Sequence, residues 1–222
     1  MKYIKLFEDH GYSAYDLITM SPYKAIDLLM SEIKKEYQDL ELIKDILEYS
    51  VVDINSKGKD KDGWTALMNS AYRGNEKLVE LLLNHPGIDV NAQTGSNWTA
   101  LMFAAQWEHT KAVELLLNHP KIDVNLESKR GWTALMVAAN RGYEKPVELL
   151  LNHPGIDVNV QDEWGWTALM YAAYNERENC VELLLNHPGI DRTIKNSDGN
   201  TAWDLASMNI RQKFPQLNPN FQ

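Results

Sequence analysis

The residues best suited to chemistry in this chain are four histidines in one recurring setting, His85, His119, His153 and His187, each followed by a proline. Imidazole is the commonest protein ligand for transition metals, so a set of four invites a zinc reading. The spacing argues against it. Successive members lie 34 residues apart, and if each belongs to one unit of a stacked array, neighbours stand roughly 10 Å apart. Zinc needs its ligands at about 2 Å, so no two of them can share an ion. They read as loop histidines that bond to nearby backbone, while His10 and His109 have no evident partner. Cys180 is the single cysteine and falls on the apolar face of a helical stretch, where equivalent positions hold Leu78, Ala112 and Pro146. That company points to a small buried hydrophobe rather than a nucleophile. Glu80, Glu114, Glu148 and Glu182 recur in the same way and read as a solvated stripe. There is no Gly-rich phosphate loop, no Gly-x-Ser-x-Gly elbow and no His-Glu-x-x-His pair. The expectation is a non-enzymatic protein with no catalytic residue, metal or cofactor.

The elements that position these residues come from internal repetition. Gly63 to Met68 returns, nearly unchanged, at Asn97 to Met102, Gly131 to Met136 and Gly165 to Met170, so that Trp64, Trp98, Trp132 and Trp166 are 34 residues apart. An altered fifth copy follows at Gly199 to Asp204. A second phrase, Leu81 to Asn91, reappears at Leu115 to Asn125 and Leu149 to Asn159, and its front half at Leu183 to Asp191. A fixed period of this length means a solenoid, in which a unit buries its apolar face only against its neighbours.

Within one unit, Thr65 follows a glycine and precedes Ala66-Leu67-Met68, so its hydroxyl can cap the first free amides of a helix. Gly74 and Gly142 supply a left-handed residue to end that helix. Glu108 and Glu176 hold the same place in the other two copies, where the turn must be made differently or under strain. A second helix runs through Val79 to Leu83 and its counterparts; Pro146 is tolerated near its start because first-turn amides lack intrahelical partners. Asn84-His85-Pro86-Gly87 stops it, and Ile88 to Asn91 reads as a short extended arm. The unit is therefore helix, turn, helix and projecting hairpin.

Composition bounds the rest. Hydrophobic residues at 44% and charged residues at 24% describe an ordinary folded chain. No apolar run approaches the roughly 18 residues that span a bilayer, and acids interrupt the start, Met1 to Asp9, before a signal-peptide core can form. One cysteine allows no internal disulfide, which favours a reducing, cytoplasmic home. A net charge of −9 argues against nucleic acid. Lys57, Lys59 and Lys61 beside Asp60 and Asp62 read as a solvated loop.

Thr-Ala-Leu-Met before a helix with paired alanines, then Val-Glu-Leu-Leu-Leu and Ile-Asp-Val-Asn, resembles the ankyrin repeat over roughly residues 57 to 217. The family usually has Thr-Pro-Leu-His where this chain has Thr-Ala-Leu-Met, and its period is usually one residue shorter. The resemblance implies an all-α solenoid of stacked helix-turn-helix units with projecting β-hairpin loops. The boundaries are then an N-terminal extension at 1–20, a helical capping repeat at 21–56, repeats at 57–91, 92–125, 126–159 and 160–193, and a C-terminal cap and tail at 194–222. Pro22 to Ile33 and Leu42 to Leu47 are the expected helices of the first cap; Ile210 to Leu217 is the short last one. Residues 1–20 belong to neither pattern.

The resemblance also implies a protein-binding face built from hairpin tips and first-helix ends. The helix-end pairs Tyr72-Arg73, Gln106-Trp107, Asn140-Arg141, Tyr174-Asn175 and Met208-Asn209 differ in every copy while the framework barely changes. With Trp164, Trp98 and Trp132 from the tips, the first four pairs form the candidate contact set, rich in the Trp, Tyr and Arg of binding hot spots. The regular tryptophans recur like the core leucines and read first as stacking residues. Acidic surroundings favour a partner carrying a basic patch. The chain itself is expected to be monomeric, with no nucleic acid or membrane among its partners. Two rival readings are an adaptor whose N-terminal segment docks a second protein and a small-molecule or nucleotide binder between repeats. Near-identical arrays resemble those of viruses, phages, intracellular bacteria and protists, which implies a viral or host-interaction factor in a host cytosol. Asparagines at Asn91, Asn125 and Asn159 are hydroxylated in some eukaryotic relatives; here they read as hairpin residues bonding their own backbone.

Overall fold

The computed structural model describes residues 14–35, 39–49, 52–58 and 62–221. Each central unit contributes two short antiparallel helices: Ala66–Arg73 with Glu76–Leu83, Ala100–Gln106 with Thr110–Leu117, Ala134–Arg141 with Glu144–Leu151, and Ala168–Tyr174 with Glu178–Leu185. First helices stack on first helices and second on second, which gives two layers. Helices this short are marginal alone, so packing must hold them. Leu82, Leu116, Leu150 and Leu184 are completely buried between the layers, as are Val79, Val113, Val147 and Val181; each contributes about 1.5–3 kcal/mol. Small residues let the first helices approach closely: Ala104, Ala105, Ala138, Ala139, Ala172 and Ala173 expose nothing.

The local signals act as the residues dictate. Thr65, Thr99, Thr133 and Thr167 each accept a hydrogen bond from the backbone amide three residues on, at 3.3 Å in every copy. Gly74 and Gly142 end their helices in the left-handed region. Glu108 and Glu176 occupy that same region, at φ 59° and 58°, without being glycine. These two turns therefore hold their shape at the cost of backbone strain. The four recurrent histidines accept from the backbone amide two residues later, at 3.1–3.3 Å from Nδ1. No group of three or more His, Cys, Asp or Glu among the described residues is placed to hold a metal ion. Also among them, no helix is long and apolar enough to cross a membrane.

The asparagine reading needs correction. Asn91 does not close on its own backbone: its Nδ2 donates to the Lys121 carbonyl at 2.7 Å, and its Oδ1 accepts from the Asp123 amide at 2.9 Å. Asn125 bridges in the same way to Gly155 and Asp157, Asn159 to Gly189 and Asp191, and Asn55 to Gly87 and Asp89. The amide reaches across because a primary amide offers a donor and an acceptor side by side, matching a backbone C=O and N–H of the next unit. The preceding aspartate meets the need of each asparagine's own amide instead, as Asp89 does for Asn91 at 3.0 Å.

The loops are hairpin-like turns, and no strand is formed among the described residues. Each turn from Thr94 onward is closed by two backbone bonds, such as Thr94 N–H to Trp98 O at 2.9 Å and Asn97 N–H to Thr94 O at 3.0 Å, and each tip bonds to the next. Gly95, Lys129, Glu163 and Ser197 donate to Asp62, Ser96, Arg130 and Trp164 respectively, at 2.9–3.1 Å.

At the N-terminal end, Pro22–Ile33 and Leu40–Tyr49 form the capping pair, and Ala14–Thr19 packs on the latter with Leu17 fully buried. Residues 1–13, Asp60 and Lys59 and Lys61 of the basic cluster, and His10 lie outside the described residues. Glu32 is buried but satisfied, since its Oε1 accepts from the Asp39 amide and its Oε2 pairs with Lys35. At the far end, Ala202–Leu205 and Met208–Lys213 are followed by a single 3₁₀ turn, Pro215–Leu217, so the last helix begins before Ile210.

Two outcomes are expected. Asn125→Ala removes the two side-chain bonds that Asn125 makes to the next repeat and should cost about 1–2 kcal/mol, read as a lower urea midpoint. Cys180 is fully buried, and burial pushes its thiol up to about 11. It should stay unreactive toward a thiol reagent at pH 8 in the native protein and react fully once urea unfolds the chain; rapid native labelling would contradict this placement.

Candidate protein-interaction face

The inner face of the array is built from loop tips and first helices, and its shape depends on one position in the first helix. The third residue after each capping Thr-Ala step is Asn69, Phe103, Val137 or Tyr171 in the successive units. Phe103 reaches back to Trp64 of the preceding unit, ring centroids 4.0 Å apart, and also lies 5.2 Å from Trp98 of its own. Tyr171 does the same between Trp132, at 4.5 Å, and Trp166, at 5.0 Å. A ring thus bonds the first repeat to the second, and another the third to the fourth. Offset and tilted ring pairs of this kind contribute about 0.5–1.5 kcal/mol beyond area burial. The stacking reading of the four tryptophans holds for these two junctions.

Between the second and third repeats the ring is missing. Val137 is fully buried and too short to join Trp98 to Trp132. The two indoles instead border a cleft of about 720 Å³ together with Gln106, Asn140, Arg141, Ser96, Ser128, Lys129, Arg130 and Trp164. A smaller cleft of about 310 Å³ adjoins it, bordered by Tyr72, Trp107, Phe103, Trp64 and, shared with the first, Ser96, Trp98 and Gln106.

Local bonding fixes these walls. Thr94, Ser128 and Asp162 each turn a side-chain oxygen back onto the amides two and four residues later, which sets the direction of Trp98, Trp132, Trp164 and Trp166. Asp162 uses its other oxygen to accept from the Tyr171 hydroxyl. Burial, followed by this bond to Asp162, raises the Tyr171 phenol far above its ordinary range, so it remains a donor. The pairing explains why the only carboxylate among these described turn residues sits beside the only tyrosine at the ring position. Tyr72 meets Trp107 edge-on at 5.6 Å and Trp64 at 5.2 Å. The Gln106 side-chain amide faces the Arg141 guanidinium, accepting from Nε at 2.9 Å when its oxygen points there. Arg130 lies over Trp164 at 5.8 Å and is 3.7 Å from the Glu163 carboxylate.

The structure brings together most of the contact set read from the sequence. Tyr72, Gln106, Trp107, Trp98, Trp132, Asn140, Arg141 and Trp164 all border the two clefts. Arg73 is exposed but borders neither. Tyr174 is 58% exposed and leans on Trp166, away from the clefts. Asn175 is spent internally, donating to Asn140 at 3.0 Å and to the Tyr171 carbonyl at 2.9 Å. Lys129 and Arg130, from the loop tip that precedes Trp132, are also cleft walls. The recurrent glutamates lie on the second helices, where Glu114 and Glu148 pair with Lys111 and Lys145. The larger cleft has Lys129, Arg130 and Arg141 on its border, with Glu163 beside Arg130, and Asp62 borders the smaller one.

Comparison with known proteins agrees with this architecture. The chain matches the family described as ankyrin repeats (3 copies) over residues 29–128, 87–162, 117–198 and 147–214. It belongs to the ankyrin-repeat family. Its fold is similar to the crystal structure of EF0377, an ankyrin repeat protein, with a TM-score of 0.76 and 24% identity, covering 92% of this chain and 100% of that one. A search of curated proteins returns no match.

The ring position supplies a direct test. Phe103→Val should open a second ring-free junction and destabilise the protein by about 2 kcal/mol. Unfolding in urea, monitored by circular dichroism, measures it; an unchanged midpoint would mean that the ring contacts hold nothing together.

Proposed function

We propose that this chain is a non-enzymatic interaction module that holds a partner protein against the loop tips and first helices. Ankyrin repeats generally serve protein–protein interaction, and the observation that carries the reading here is the exposure of Trp107 and Trp164, 48% and 45%, at the borders of adjoining clefts. Large aromatic surface left in water beside arginine is the composition of a binding hot spot. The walls are held by backbone bonds from tip to tip, so the surface is preformed and little ordering entropy is lost on docking. The protein works as a monomer in the cytoplasm. Near-identical repeats, read as recent duplication, support a viral or host-interaction setting with a host protein as partner.

A second reading has its own observation. Tyr15, Ile18 and Tyr23 are 74%, 57% and 79% exposed on the N-terminal helices, which supports an adaptor with a separate docking site there.

One capture experiment separates these. The full chain is immobilised beside Tyr72→Ala/Trp107→Ala and Tyr15→Ser/Tyr23→Ser variants, each checked for an intact melting transition, and exposed to host-cell lysate. A protein retained by the parent and lost only on the first variant places the partner on the inner face. Loss only on the second favours the adaptor, and equal retention by all three refutes both sites.

A further inference from the structure

The cleft between the second and third repeats carries chemistry more specific than general stickiness. Its floor and sides are two indoles, Trp98 and Trp132, that every ring-bearing junction would have joined through an aromatic side chain. The protein itself shows what fits: Phe103 and Tyr171 fill the equivalent space in the neighbouring junctions. The rim is cationic. Lys129, Arg130 and Arg141 border the cleft, and among the described residues no carboxylate does. Arg141 faces the neutral Gln106 amide, while Arg130 has Glu163 3.7 Å away in an exposed pair, which is weak in water and leaves the guanidinium open to exchange partners. This arrangement is unlike the chain as a whole, whose net charge is −9. At physiological salt, charges beyond about 8 Å are screened, so Lys129, Arg130 and Arg141, offset in part by neighbouring Glu163, set the field that a bound segment feels more than the distant acids do.

We propose that this cleft receives an acidic segment of a protein partner, one aromatic side chain entering between Trp98 and Trp132 while flanking carboxylates pair with Arg130, Arg141 and Lys129. The inference rests on the reading that the inner face binds protein, and it names the chemistry of that partner. A volume of about 720 Å³ holds a ring together with neighbouring peptide groups. Arginine suits the flanks because its planar fork meets a carboxylate through two bonds. Charge complementarity selects an acidic segment over a basic one, reversing what the whole-chain charge favours.

The test uses random twelve-residue peptides displayed on phage and selected on the full-length protein. Enriched sequences should carry an aromatic residue with Asp or Glu within two positions. A fluorescein-labelled peptide with one phenylalanine between two glutamates serves as the direct probe. Val137→Phe supplies the ring already tolerated at this position in two neighbouring repeats, so the variant should fold and melt no lower than the parent. It should weaken the probe roughly tenfold or more, as should Arg130→Gln/Arg141→Gln. Raising salt from about 50 to about 300 mM should weaken it further in the parent. Enrichment of Lys- or Arg-rich peptides, enrichment without aromatics, or no enrichment overturns the proposal. Peptides that bind Val137→Phe equally but fail on Tyr72→Ala/Trp107→Ala also overturn it, while leaving the inner face as the binding surface. Peptides indifferent to every variant overturn both readings.

Discussion

The asparagine bridge sets the register on which every other feature of this molecule depends. One primary amide at the end of each unit takes a carbonyl and an amide of the following loop, and the same pair of bonds recurs from Asn55 to Asn159. Because a primary amide can satisfy both groups only in one orientation, each unit arrives at a fixed offset from the last. That offset carries the tips into single backbone bonds with one another and lays each first helix against the next. An aromatic side chain can then reach a tryptophan one unit away. Without a common register, the ring contacts and the clefts between them would have no defined place.

The binding face follows from a conflict between stacking and exposure. Side chains that seal a junction disappear into it, as Phe103 and Tyr171 do, and those left over remain available to something else. The surface therefore inherits its shape from the core: replacing one buried ring by Val137 changes what the outside can hold. The same logic separates the charges. Glutamates that repeat with the second helices are partly neutralised by lysines one turn away, whereas the third unit brings Lys129, Arg130 and Arg141 to the border of one cleft.

Much of this was legible before any coordinates. Thr65 and its copies specify their helix starts, and Gly74 and Gly142 specify two ends. These are local effects, decided by a residue and its immediate neighbours. The parts that were not legible are those in which a side chain acts on another unit. Asn91 can bond its own loop or the next one, and only the stacking distance decides. Lys129 and Arg130 look like any tip residues until the third repeat is packed on the second. A signal for the cleft was nevertheless present, since Asn69, Phe103, Val137 and Tyr171 differ at a position whose surroundings do not.

Rings occur in the second and fourth repeats, and left-handed glutamates end the same two first helices, while glycines end the first and third. The structural quantum of this array is consequently a pair of repeats, 68 residues long by the spacing of Trp64 and Trp132. A chain that grew by copying pairs would gain one open junction for each pair added, with successive openings about 20 Å apart. Valency would then be written in the length of the gene, and a partner with acidic motifs strung at matching intervals would be held by avidity.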